Sequence, residues 1–245
     1  YYADTVNPFF DGGGGGQNAI SRFAERNPIY RIGPFGAGIG VNLKINDNFK
    51  FDFGYISNTA NNPGSDAGLF NGNYSALAQL VFSTNKFKLG LTYVRGYERN
   101  TPSLAAGNNF NLGGTGTTFA NLNNNSLLQG RSFPVESNSF GVEASFRPTP
   151  GIIVNGWGGY TDANLIGLGS ADIWNFALAV GFPDLGKKGN LLGFVGGAEP
   201  TLRGIGFPGA NLSPAFASRS QDFALHFEAF YKYQLTDNIS ITPGV

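Results

Sequence analysis

The chain has 245 residues and a formal net charge of zero, from 16 basic and 16 acidic side chains. Only 13% of residues are charged, against about 25% in ordinary soluble domains, which argues against a typical soluble surface. With no basic excess there is no footprint for nucleic acid. Aromatic residues reach 14%, including 23 Phe, glycine contributes 37 residues, and the chain holds no Cys, no Met and one His. Absence of Cys fits an exported protein. No apolar run reaches the roughly 18 residues of a membrane-crossing helix, but membrane-crossing strands are apolar only at alternate positions.

Residues 1–36 read as a long irregular connection. The run Asp11-Gly-Gly-Gly-Gly-Gly16 is expected to be flexible, and Ala19 to Asn27 to form a short helix that ends before Pro28. A period-2 rhythm follows, the mark of strands whose side chains alternate between faces. Ile39, Val41, Leu43 and Ile45 alternate with Gly40, Asn42, Lys44 and Asn46. Asp47-Asn48 turns the chain into Phe49, Phe51, Phe53 and Tyr55, which alternate with Lys50, Asp52 and Gly54. This is a hairpin pattern with one apolar face throughout.

The pattern recurs along the chain. Ala76, Ala78, Leu80 and Phe82 turn through 83–86 into Phe87, Leu89, Leu91 and Tyr93, with Lys88 opposite. Phe140, Val142, Ala144 and Phe146 oppose Glu143 and Arg147, and turn through 148–151 into Ile152, Val154, Gly156, Gly158 and Tyr160. Ile153 and Trp157 break that strand's polarity, because they sit on its wet side. Trp174, Phe176, Leu178, Val180 and Phe182 form another strand, and the turn 184–189 leads to a weak one at 191–197. The strongest pattern runs from Phe223 to Leu235. Phe223, Leu225, Phe227, Ala229, Tyr231 and Tyr233 face one way, and His226, Glu228, Lys232 and Gln234 the other. A turn at 236–238 leads into Ile239 and Ile241.

Ten strands are predicted. Short turns alternate with longer links at about 57–73, 97–137, 161–171 and 198–221, which are rich in Asn, Gly, Ser and Thr. Short turns on one rim and long loops on the other are the organisation of an outer-membrane β-barrel. Aromatic residues near strand ends, such as Phe49, Tyr55, Tyr93, Tyr160 and Tyr231, suit interfacial girdles. The predicted fold class is all-β, a transmembrane antiparallel barrel, with 1–245 as part of one barrel domain.

No enzyme signature is present. The glycine run lacks the Lys-Ser/Thr of a phosphate loop, and no Ser has His and Asp partners in a recognised order. One histidine without a carboxylate cluster makes no convincing metal site. No cofactor is expected. Arg22, Glu25, Arg26 and Arg31 form the constriction candidates, because rings of charge in a narrow pore set ion preference. Lys44, Lys50, Asp52, Lys88, Glu143, Arg147, His226, Glu228 and Lys232 form a mixed-sign set of pore-lining candidates.

The segments Asn27-Pro-Ile-Tyr-Arg31, Gly68-Leu-Phe-Asn-Gly72, Tyr74-Ser-Ala-Leu-Ala-Gln79 and Gly90-Leu-Thr-Tyr-Val-Arg95 resemble cyanobacterial outer-membrane porins. So do Gly156-Trp-Gly-Gly-Tyr160, Ala171-Asp-Ile-Trp-Asn175, Phe182-Pro-Asp-Leu-Gly186 and Asp237-Asn-Ile-Ser-Ile-Thr-Pro-Gly244. These porins are related to the carbohydrate-selective porins and are often called iron-uptake porins. The resemblance covers nearly the whole chain. It implies a barrel of about sixteen strands, of which this chain would carry about ten. It also implies homotrimers in the lipid bilayer of the outer membrane, and a separate S-layer-homology domain, absent here, that tethers the membrane to peptidoglycan or cell-wall polysaccharide. The expected function is passive diffusion of small hydrophilic solutes and inorganic ions, iron included. Two other readings stand beside it: a structural tether with negligible transport, and a soluble sugar-binding β-domain with Trp157 and Trp174 as stacking platforms.

Overall fold

A computed structural model describes residues 3, 6–11, 18–65, 67–99, 110–122, 133–206 and 222–245. The glycine run 12–16 lies outside them. The described residues form one ten-stranded sheet in strict sequence order, β1 to β10, every neighbouring pair antiparallel. The strands are β1 (Ala37–Lys44), β2 (Phe49–Ser57), β3 (Tyr74–Ser83), β4 (Phe87–Glu98), β5 (Val135–Thr149), β6 (Ile152–Leu165), β7 (Gly169–Pro183), β8 (Leu191–Gly206), β9 (Leu225–Thr236) and β10 (Ile239–Ile241). β1 and β10 are the sheet's edges and do not pair with one another.

The two faces of the sheet differ in kind. On the open face, large apolar side chains are exposed: Leu91, Phe140, Leu178 and Phe227 among them, the last at 76%. On the opposite, covered face the strands present polar side chains. One row across six strands reads Asp52, Gln79, Thr92, Gly141, Gly159, Asn175. Four of these six are buried polar residues. Apolar outside and polar inside is the reverse of a soluble sheet.

Aromatic side chains end the open face at both rims. Tyr93, Phe140, Tyr160 and Trp174 stand side by side on β4 to β7. Ring centroids are 5.2 Å apart for Tyr93–Phe140 and 4.7 Å for Tyr160–Trp174. At the other rim Phe49 meets Phe82 at 5.1 Å, and Phe87 pairs in register with Phe146.

The five predicted short turns all connect neighbouring strands on one rim. The other rim departs from the expected run of long links. Between β6 and β7 only Ile166, Gly167 and Leu168 remain, with Gly167 at φ 87°. The strands run past the aromatic row as polar extensions in which Asp162 faces Asp172 and Asn164 faces Ser170. These polar residues end the apolar alternation, but the backbone ladder continues. β8 is longer than its pattern for the same reason, reaching Gly206 after two register shifts against β7.

The expected helix at 19–27 is shorter than its pattern. It is α1 (Arg22–Glu25), followed by a 3₁₀ turn at Pro28–Arg31. A second short helix, α2 (Gly68–Asn71), lies in the β2–β3 link and has no counterpart in the sequence reading. The apolar cores lie on the covered face in two clusters. One joins Ile29 and Ile32 to Leu77, Val94 and Ile173, and the other joins Phe10 and Phe23 to Ile153, Trp157 and Phe230. Ile153 and Trp157 therefore stand on the polar face because apolar side chains cover them there.

Candidate functional site

Residues 6–11 and 18–32 lie across the covered face and bury its middle. Local chemistry shapes this segment. The Ser21 hydroxyl accepts from the Ala24 N–H at 3.0 Å and caps α1, and Asn27 Oδ1 accepts from the Ile29 N–H at 3.3 Å and caps the 3₁₀ turn. Pro28 cannot continue α1, so the chain changes direction there.

Sheet side chains hold the segment at several points. Glu228 accepts the backbone N–H of Ile20 at 2.7 Å and of Ser21 at 2.9 Å. Lys232 Nζ donates to Asn18 Oδ1 at 2.8 Å. The Asn27 side-chain amide donates to the Gly158 carbonyl at 2.8 Å. Tyr30 Oη lies 2.8 Å from Thr92 Oγ1 and accepts from Gln79 Nε2 at 2.6 Å.

His226 joins two walls of this arrangement. Its Nδ1 donates to Glu199 Oε1 at 2.9 Å, since a carboxylate can only accept. Its Nε2 lies 3.3 Å from Ser21 Oγ and 3.5 Å from Glu228 Oε2. The Phe23 ring packs edge-on against the imidazole at 5.1 Å.

The structure brings the four constriction candidates together on the segment. Glu25 is buried and pairs with Arg31. Arg31 Nη2 also donates to the Arg22 carbonyl at 3.3 Å. Arg26 reaches Asp11 at 3.4 Å. Arg22 is exposed, and its Nη1 donates to the Gly113 carbonyl at 2.9 Å. Residues 110–122 thereby form a second wall around the cluster. They are anchored on β8 through Gly116 N–H to Glu199 Oε2 at 2.9 Å and Thr117 N–H to the Pro200 carbonyl at 3.0 Å. Burial raises the pKa of Glu25 above the ordinary carboxylate value of 4.5, opposed by the charges of Arg31 and Arg26. Burial lowers that of Arg31, opposed by Glu25. Three guanidinium groups against two carboxylates leave this cluster with one excess positive charge.

The nine lining candidates share the covered face but divide in environment. His226, Glu228 and Lys232 lie against the segment and bind it as described, and Glu143 is buried on the same face. Asp52 is buried and accepts from Asn42 Nδ2 at 2.6 Å. Lys44 and Lys50 are exposed near the sheet edge, with Lys44 paired to Asp47 at 2.7 Å. Lys88 is half-buried and lies in the electrostatic surroundings of Glu143. Arg147 donates to the Pro150 carbonyl at 2.6 Å and stacks over Phe9 at 5.0 Å.

Sequence reasoning missed Asp11, Asn27, Tyr30 and Glu199, which carry no periodic signal. A signal for the covering segment does exist in the glycines. Gly90, Gly141, Gly159 and Gly193 occupy covered-face positions, where a Cβ would strike Val6, Ile29, Asn27 or Phe10 within 3.1 Å. The two tryptophans lie on opposite faces. Trp157 is buried with Phe23 at 5.7 Å and so offers no stacking platform, whereas Trp174 is exposed on the open face.

Residues 3–245 match the family described as carbohydrate-selective porin, OprB family. The chain belongs to this family. It is 43% identical over 256 residues to the uncharacterized protein alr4550 of Nostoc sp. (strain PCC 7120), a match that covers all of this chain and 41% of that protein. It is 35% identical over 245 residues to the uncharacterized protein sll0772 of Synechocystis sp. (strain PCC 6803), covering 91% of this chain and 41% of the relative. The chain thus spans about two fifths of the length of these relatives. Both come from cyanobacteria, in keeping with the resemblance read from the sequence.

Proposed function

We propose that the protein containing this chain is an outer-membrane porin that passes small hydrophilic solutes, carbohydrates and inorganic ions among them, by passive diffusion. The inverted polarity of the sheet carries this reading. Exposed Leu91, Phe140, Leu178 and Phe227 suit lipid, and the buried polar row from Asp52 to Asn175 suits the inside of a barrel. The two aromatic rows suit the bilayer interfaces. The cluster of Arg22, Glu25, Arg26 and Arg31, walled by residues 110–122, is the proposed constriction, and its excess positive charge favours anions and polar solutes with hydroxyl acceptors. The remaining strands of the barrel, a homotrimeric assembly, a tether to the cell wall and iron as a solute rest on the family resemblance alone.

Planar-bilayer recording of the full-length protein, with liposome swelling in sugars of increasing size, tests this reading. Stepwise conductance and size-limited swelling are expected. A reconstituted, folded protein that passes neither ions nor sugars would overturn it.

A further inference from the structure

We infer that the open face carries a binding site for a lipid with a neutral sugar headgroup. The inference rests on the reading that this face lies in a bilayer. A groove of about 790 Å³ crosses the open face from β2 to β7, within the roughly 300–1,000 Å³ usual for ligand sites. Tyr93, Phe140, Tyr160 and Trp174 form one bank, and Ala78 and Gly158 leave room in its floor. Gly158 is the informative residue. It stands between Val142 on β5 and Phe176 on β7. A Cβ there would meet only Val142 Cγ1 at 3.9 Å, an ordinary contact, and the residue does not adopt a positive φ. Neither backbone conformation nor packing within the chain therefore calls for glycine. A side chain at this position would project into the groove instead.

The groove has a polar margin whose charge selects the headgroup. Beyond the aromatic bank, the same strands present Arg95, Asn138, Asp162 and Asp172 in one row. Tyr93 Oη donates to Asn138 Oδ1 at 2.7 Å and Tyr160 Oη to Asp172 Oδ1 at 2.6 Å, so both rings stand fixed with their polar edges toward this row. Asp162 and Asp172 face each other directly across the strand pair, where like charges destabilise a sheet. Arg95 is held by Glu136 and Asn138, and Arg203 lies over the Phe223 ring at 4.4 Å. Among the described residues neither aspartate makes an ion pair. A lipid phosphate placed here would meet two carboxylates and be repelled. Sugar hydroxyls are donors, and carboxylates accept from them in charge-assisted hydrogen bonds. The rings of Tyr160 and Trp174, with centroids 4.7 Å apart, offer an aromatic surface to the C–H face of a sugar. Acyl chains in the groove and a sugar at the polar row satisfy both halves of the site.

The test is native mass spectrometry of the folded full-length protein in detergent micelles. Monoglucosyl diacylglycerol, phosphatidylglycerol and phosphatidylethanolamine are offered at equal concentration. The glucosyl lipid should be retained in preference to both phospholipids. The double variant D162N, D172N should weaken its retention about tenfold or more, because each hydroxyl loses a charged acceptor. Gly158→Leu fills the groove and should abolish retention, while its folded-state gel shift and its conductance match the wild type. Equal retention of the three lipids overturns the headgroup assignment, as does a double variant that holds the glucosyl lipid undiminished. Full retention by Gly158→Leu overturns the site. If Gly158→Leu instead splits an oligomer into single chains, the groove is an interface between copies and the inference fails. A protein that retains the glucosyl lipid but passes no current counts against the channel reading and leaves the lipid site standing.

Discussion

Leu178→Arg tests which face of the sheet meets lipid. Leu178 is the centre of the open-face run Trp174, Phe176, Leu178, Val180, Phe182 on β7 and is 60% exposed. The run covers eight residue steps at about 3.3–3.4 Å each, or about 27 Å along the strand. A tilt of about 35–45° reduces this to about 19–22 Å across the membrane, close to the roughly 25 Å apolar band of outer-membrane barrels. Leu178 then sits near the midplane, where arginine costs about 2–4 kcal/mol. Leu235 is also an exposed open-face leucine, at 44%, but it lies at the far end of β9, next to the turn into β10. Arginine there should cost only about 0–1 kcal/mol. The expected gap between the two variants is about 2–3 kcal/mol, or about 30- to 150-fold in the folding equilibrium. Urea titration of the full-length protein in lipid vesicles, followed by a gel shift of folded against unfolded protein, measures it. If Leu178→Arg proves no less stable than Leu235→Arg, the open face does not lie in a bilayer.

Three further outcomes are expected. Arg22→Glu, at the exposed arginine of the cluster, changes the local charge by two and should move the reversal potential in a salt gradient toward cation preference; an unmoved potential places the constriction elsewhere. Glu25 has a raised pKa through burial, so the folded state holds its proton above pH 4.5 where the unfolded chain has lost it. Its contribution to stability therefore falls as pH rises through that window, and Glu25→Gln should flatten this part of a urea-stability profile against pH. Gly197→Ala would set a Cβ 2.2 Å from the Phe176 carbonyl oxygen, against backbone that cannot step aside, and should cost about 1–3 kcal/mol, whereas Gly151→Ala meets nothing within 4 Å and should stay within about 0.5 kcal/mol in the same titration.

The strands were legible because one face of the sheet is uniformly apolar. At Phe49, Phe51, Phe53 and Tyr55 every second residue answers to the same surroundings, so period 2 survives intact. Where those surroundings change, the signal stops before the strand does. Asp162, Asn164, Ser170 and Asp172 look like a loop, but their backbone ladder is unbroken. The constriction candidates were legible as a group of charges, since Arg22, Glu25, Arg26 and Arg31 fall within ten residues. Their partners were not, because Asp11 and Gly113 meet them only through tertiary folding, at 15 and 91 positions' remove from Arg26 and Arg22 respectively.

The covered face explains why single residues out of pattern carry more information here than the pattern itself. A barrel wall facing only water has no use for Trp157 or Ile153, and gains nothing from glycine at positions 90 and 141, where a Cβ would meet Val6 or Ile29 first. Each becomes intelligible once a segment lies against it. The indole needs Phe23 above it, and the glycines need a backbone or side chain close by. Large apolar and minimal side chains on a polar face therefore trace, in negative, the path of residues 6–11 and 18–32. The polar residues between them do the complementary work. Glu228 binds main chain at Ile20 and Ser21, while Arg26 ties the segment to Asp11 and Arg22 ties it to residues 110–122. The arginines that carry the cluster's charge therefore also help to hold it in place.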